Sequence, residues 1–168
     1  MIHFKIISRI IGLLLLIEAL FMAGAFGVSL YCQENITSAY LYTLAATVAA
    51  GALFLYFGRG KERNISRKDG YIVVSLCWII FSIFGSMLYI FSGSIPSVTN
   101  AFFETMSGFS TTGATILDNI ESLPSSLLFW RAMTHWIGGL GIVFFTVAIL
   151  PIFGMGDIHL FAAEATGP

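Results

Sequence analysis

The sequence predicts an all-α membrane protein: four membrane-crossing helices, with one half-length helix between the third and the fourth. Three observations lead there. The 168-residue chain is 57% hydrophobic and only 10% charged, whereas soluble domains carry about 25% charged residues, so this chain cannot keep a surface wet. Four apolar stretches, Ile10 to Leu30, Tyr40 to Phe57, Tyr71 to Phe91 and Leu127 to Ile149, approach or exceed the roughly 20 residues that cross a bilayer. A fifth stretch, Ser97 to Phe109, is too short and too polar to cross.

The first span has Lys5 and Arg9 ahead of it, and Ala23-Gly24-Ala25 imitates a cleavage site. Its apolar run is too long for a signal peptide and contains Glu18, so it reads as a retained helix. An acid at that depth faces protein or water, and a bond to a neighbouring helix is the expected role of Glu18. The second span follows the uncharged-to-acidic turn "QENITS". After it comes "GRGKERNISRKDG", with Arg59, Lys61, Arg63, Arg67 and Lys68. Five of the chain's eight basic residues sit there, which puts this loop and the N-terminus in the cytoplasm and residues 92–124 outside. The third span holds Cys77. With Cys32 far away and no metal-ligand spacing, both cysteines are expected to be free, Cys77 packing as a small hydrophobe.

After Phe91 the chain reads "FSGSIPSVTNAFFETMSGFSTTGATILDNIESLPSS". Ser97 suits a helix cap and Pro96 a helix start. A helix of about 13 residues, roughly 20 Å long, is then expected up to Phe109. Two readings of Ser97 to Thr115 fit this spacing. One is an extracellular loop with a surface helix. The other is a re-entrant loop, because irregular backbone survives at membrane depth only where protein or water covers it. In that second reading the short side chains of Ser110 to Thr115 leave carbonyl oxygens free to replace a cation's water shell. Gly113 supplies dihedrals closed to other residues. The C-terminal end of the short helix adds partial negative charge.

"AFFETMSGFSTTGATIL" followed by "LFWRAMTHWIGGLGIVFFTVAILP" resembles the first pore repeat of the Trk/Ktr potassium-uptake transporters. The two motifs cover residues 101–151, and the preceding helices resemble the family's extra helix pair, so the likeness extends over essentially the whole chain. It implies a half-length pore helix leading into a filter formed by Thr111, Thr112, Gly113 and Ala114, with Ser110 and Thr115 flanking it. The transported K⁺ would sit at Thr111, Thr112 and Gly113. By the same resemblance Glu104 occupies an acidic position on the pore helix, where a hydrogen bond behind the filter is the expected role. Arg131 reads as a headgroup-reaching residue or as a brace for the loop, and His135 as a packing residue. Gly138, Gly139 and Gly141 are expected to serve helix packing or a hinge.

The resemblance also implies an organisation. Residues 1–58 form the helix pair, 59–70 the basic cytoplasmic loop, 71–153 the first pore repeat, and 154–168 the start of a cytoplasmic connection. The family carries four such repeats around one pore, and this chain shows one filter sequence, so it is expected to be the leading portion of a longer subunit in the bacterial inner membrane. A short subunit working as a homotetramer, or an auxiliary helix bundle without transport of its own, are the alternatives. Expected partners are membrane lipid, the remaining pore repeats, a second copy in a homodimer, and a cytoplasmic nucleotide-binding regulatory subunit. A net charge of −1 gives no footprint for nucleic acid. No HExxH, GxSxG or paired-carboxylate motif supports an enzyme, and no cofactor is expected.

Overall fold

The computed structural model describes residues 3–60 and 67–149, and only the backbone of residues 67, 68, 142 and 144–149. Among the described residues five α-helices run in order: α1 Phe4–Tyr31, α2 Thr37–Phe57, α3 Arg67–Phe91, α4 Val98–Phe109 and α5 Ser125–Ile149, with a 3₁₀ turn at Ile120–Ser122 before the last. Three spans, Phe4–Tyr31, Thr37–Phe57 and Asp69–Phe91, are long and apolar enough to cross a membrane. Lys61 and Arg63 of the expected basic loop, the side chains of Arg67 and Lys68, and the expected connection 154–168 lie outside the described residues.

Packing between helices in lipid gains little from the hydrophobic effect and depends on close van der Waals fit, which small residues permit. The α1–α2 hairpin shows this. A Cβ added at Gly12 would lie 2.8 Å from the Gly51 carbonyl oxygen, and one added at Gly51 would lie 3.2 Å from the Gly12 carbonyl. Ser8 donates to the Phe54 carbonyl at 2.7 Å along the same seam. The buried hydroxyls of Thr43 and Thr47 are satisfied within α2 by the carbonyls four residues back, each at 2.8 Å. At the start of the chain the His3 backbone N–H donates to Asp69 at 3.0 Å and its ring pairs with the same carboxylate at 2.7 Å, tying the start of α1 to the first turn of α3.

The end of α1 is a Schellman closure. Glu34 N–H reaches the Ser29 carbonyl at 3.0 Å and Gln33 N–H reaches that of Leu30 at 3.2 Å. The closing residue must adopt a left-handed backbone, a place usually taken by glycine. Here Gln33 takes it, at φ 55°. The strain fixes the direction in which the next residue, Glu34, leaves the helix. Its carboxylate accepts from both the backbone N–H and the hydroxyl of Ser126, the N–H at 3.1 Å. Ser126 lies in the first turn of α5, which is preceded by Pro124, a residue with no side-chain acceptor. Glu34 therefore caps a helix that begins some 90 residues later.

α4 is short because its ends are marked. Ser97 accepts from Asn100 N–H at 3.4 Å and opens the helix, and Ser110 closes it. Three glycines let neighbours approach α4 closely. At Gly85 of α3 a Cβ would lie 2.8 Å from the Thr105 methyl. At Gly108 a Cβ would meet the Thr134 hydroxyl, and at Gly138 of α5 it would collide with the Phe109 carbonyl. Phe109 is fully buried, with Phe81 and Trp130 rings at 5.5 and 6.4 Å. Trp130 donates to the Gly85 carbonyl at 3.4 Å. The last residue of the half-length helix is thus the point on which α3, α4 and α5 converge.

Candidate functional site

The loop that leaves α4 alternates in handedness. Thr111 has φ 56° and Gly113 has φ 76°. A left-handed backbone suits Gly113 and strains Thr111, a β-branched residue, by an amount of order 1–3 kcal/mol. The surrounding contacts hold it there. Thr111 N–H donates to the Gly108 carbonyl at 2.9 Å, and the Ser107 carbonyl accepts both Thr112 N–H at 3.0 Å and Gly113 N–H at 3.4 Å. With the N–H groups turned back onto α4, the carbonyls of Thr111, Thr112 and Gly113 accept no hydrogen bond from any described residue, and all three residues are exposed. Ser110 and Thr112 share a hydroxyl bond of 2.8 Å.

Ala114 differs. Its carbonyl accepts the Ser107 hydroxyl at 2.6 Å, whereas those of its three predecessors accept from no described residue. Thr115 turns inward as well, its hydroxyl donating to the two Glu104 carboxylate oxygens at 3.0 and 2.9 Å. The same carboxylate accepts Ile116 N–H at 3.1 Å and Arg131 Nε at 2.7 Å. The Glu104 side chain has no solvent exposure and that of Arg131 only 18%. A buried carboxylate is costly unless several donors satisfy it, and this one has four contacts. They fasten the outgoing leg of the loop to α4 and α5 together. His135, one turn beyond Arg131, bonds the Arg131 carbonyl through Nδ1 at 3.0 Å.

The glycines of α5 do not act alike. Among the described residues, Gly138 is a close-contact position against Phe109, Gly139 has only the Thr111 methyl near it at 3.9 Å, and Gly141 has nothing within 4 Å. Gly113 has no described residue within 4 Å of an added Cβ, so among the described residues its requirement is conformational and not steric. Glu18 departs from the expected bond to a neighbouring helix: it is fully buried, yet neither carboxylate oxygen has a hydrogen-bond partner among the described residues. The reason is its surroundings, the rings of Phe81 and Phe109 and the bare backbone at Gly85. Cys32 and Cys77 are both free, Cys77 buried. Sequence reasoning missed Ser107 and Glu34. Nothing in a lone serine on α4, or in an acid within a turn, shows the distant group each one meets.

Fold and site together define the class: a multi-pass helical membrane protein whose half-length helix ends in a short, strained, carbonyl-bearing loop braced by a buried ion pair. Residues 33–168 match the TrkH family of cation transport proteins. The chain belongs to that family. It is 38% identical to the Trk system potassium uptake protein TrkH of Escherichia coli K12 over 167 residues, 99% of this chain and 35% of that protein. To the TrkH of Halomonas elongata it is 37% identical over 165 residues, 98% of this chain and 34% of that one. The crystal structure of the potassium transporter TrkH from Vibrio parahaemolyticus superposes with a TM-score of 0.84 at 34% identity, covering 92% of this chain and 33% of the other. The chain thus spans about a third of the length of the relatives it matches.

Proposed function

We propose that this chain supplies one wall of a potassium-selective filter in a channel-like uptake protein of the bacterial inner membrane. The observation that carries this reading is that three successive carbonyls at the C-terminal end of a half-length helix, those of the exposed residues Thr111, Thr112 and Gly113, accept no hydrogen bond from any described residue. Carbonyl oxygens in such a row replace the hydration shell of a monovalent cation, and the helix end adds partial negative charge. Ser110 and Thr115 flank the row. The Ala114 carbonyl, held by Ser107, marks the end of the ion path, and Glu104 with Arg131 supports the loop from behind.

In this reading α1 and α2 form the helix pair of residues 1–58. Residues 71–153 form the first pore repeat, with α4 entering from outside and α5 crossing as the fourth span. Residues 59–70 and the N-terminus face the cytoplasm. One loop surrounds only part of an ion, so the remaining repeats complete the site, and K⁺ is the cargo. A second copy and a cytoplasmic nucleotide-binding subunit complete the assembly, as the family likeness suggests. Potassium uptake proteins of the Trk system at 38% identity support the cargo assignment.

The test is paired K⁺ and Na⁺ flux into vesicles containing a four-repeat protein that carries this sequence. Gly113→Ser, which must hold φ 76° with a side chain, is expected to lower K⁺ over Na⁺ discrimination at least several-fold while expression persists. Unchanged discrimination would contradict the filter assignment and return the loop to a surface role.

A further inference from the structure

The sequence "GRG", Gly58 to Gly60, closes α2 and brings it against the start of α1. A Cβ added at Gly58 would lie 2.6 Å from the Arg9 backbone nitrogen, so only bare backbone fits there. Gly60 then meets two cations of α1. Its carbonyl accepts Arg9 Nη2 at 3.2 Å, and Lys5 Nζ lies 3.9 Å from its Cβ position. Between the two glycines, Arg59 lies over the Tyr56 ring, its Cζ 5.2 Å from the centroid. Lys5, Arg9 and Arg59 are all exposed.

Three like charges gathered at one turn repel each other unless a counter-charge joins them. Among the described residues no carboxylate pairs with any of them: the ion pairs join His3 to Asp69 and Arg131 to Glu104. Asp69, which meets the start of α1, is buried and already held by His3. Most of the donors are unspent. Among the described residues Arg9 uses one N–H of its five, and Lys5 none of its three. Such donors suit a phosphate, which accepts several charge-assisted bonds. The surroundings say where that phosphate comes from. Phe4 and Phe57, next to Lys5 and Gly58 in sequence, are 74% and 63% exposed, an apolar border suited to lipid. Lys5, Arg9 and Leu13 follow at four-residue spacing along one face of α1, and Leu13 is half exposed. A soluble phosphate would leave this border unused. We propose that the end of the α1–α2 hairpin binds the phosphate of an anionic phospholipid, held by Lys5, Arg9 and Arg59, with the acyl chains running past Leu13 into the bilayer. The lipid belongs to the cytoplasmic leaflet if the orientation proposed above holds, whereas the binding rests on neither that orientation nor the filter.

Native mass spectrometry of the purified, delipidated chain in a neutral detergent tests this. Phosphatidylglycerol, phosphatidylcholine with the same acyl chains, and glycerol phosphate are titrated separately. Phosphatidylglycerol is expected to bind roughly tenfold or more tightly than phosphatidylcholine, as three basic residues at an anionic headgroup allow. Glycerol phosphate should not bind measurably. Lys5→Gln/Arg9→Gln/Arg59→Gln should abolish the preference for phosphatidylglycerol. Lys61→Gln/Arg63→Gln/Lys68→Gln removes the same charge from the segment that follows and should retain most of that preference. A loss in the second triple variant equal to or greater than in the first would show general attraction to basic residues and overturn the site. So would phosphatidylglycerol that binds no tighter than phosphatidylcholine. Glycerol phosphate bound as tightly as phosphatidylglycerol would make this a site for soluble anions and overturn the lipid assignment. If the first triple variant does not fold by circular dichroism, Lys5→Gln, which breaks no hydrogen bond among the described residues, decides: a several-fold loss is expected, and undiminished preference overturns the site. None of these readings depends on transport, so they stand or fall apart from the filter assignment.

Discussion

Glu104 illustrates how much a single buried group can fix. Its carboxylate joins the outgoing leg of the loop, through Thr115 and Ile116, to Arg131 on another helix. Removing one partner of a buried pair leaves an uncompensated charge, typically a loss of 3–5 kcal/mol. Arg131→Gln is therefore expected to lower the thermal midpoint in detergent strongly, and Glu104→Gln less, because an amide still accepts from Ile116 N–H. A midpoint for Arg131→Gln equal to that of the unmodified chain would show that the pair does not form. The acid was legible in the sequence as a hydrogen-bonding group behind the loop, but the partner was not. Arg131 lies 27 residues further on and fitted a headgroup role equally well, since only the folded geometry turns its side chain inward. Gly113 was legible as a residue needing unusual dihedrals. The strained Thr111 beside it was not, because no composition rule places a β-branched residue in a left-handed backbone.

At the scale of elements, the half-length helix and the first three spans were readable from hydropathy and from Ser97 as a cap, because those signals are local. The contacts that join elements were not. Glu34 caps α5 across 92 residues, and its aim depends on the left-handed Gln33. Glu34→Ala should cost about 0.5–2 kcal/mol, the usual value of a lost helix cap, and loosen the start of α5 ahead of Arg131. Hydrogen exchange at the amides of residues 125–128 checks this, with faster exchange expected there and no change in α2. Gln33→Gly relieves the strain and should leave that exchange unchanged or slower. Gly138 makes a further case. Its glycine run predicted packing or a hinge without distinguishing the three positions, and the structure separates them by what an added Cβ would meet. Gly138→Ala must push Phe109 away, a change that typically costs about 1–3 kcal/mol, while Gly141→Ala should be tolerated. Comparing their thermal midpoints tests the difference.

For the whole molecule, the α1–α2 pair is fastened to α3 and α5 at both ends, by His3 with Asp69 and by Glu34 with Ser126. The basic residues between positions 59 and 68 predict a cytoplasmic loop there. In a Cys32→Ser background, since Cys32 is free and exposed at the opposite end of α1, a cysteine introduced at Ser66 should resist impermeant maleimide added to intact cells and react once the membrane is opened. Labelling from outside would reverse the topology. One wall leaves most of an ion's coordination unmade, so expression of this chain without further repeats should not restore growth of an uptake-deficient bacterium in low potassium. The most direct measurement is the position of a bound ion in a crystal of the four-repeat protein soaked with thallium, a K⁺ substitute visible by anomalous scattering. The account predicts ion density within coordinating distance of the Thr111, Thr112 and Gly113 carbonyls, with the Ala114 carbonyl still held by Ser107. Density absent from that loop, or coordinated by Ala114 with its Ser107 bond broken, would contradict it.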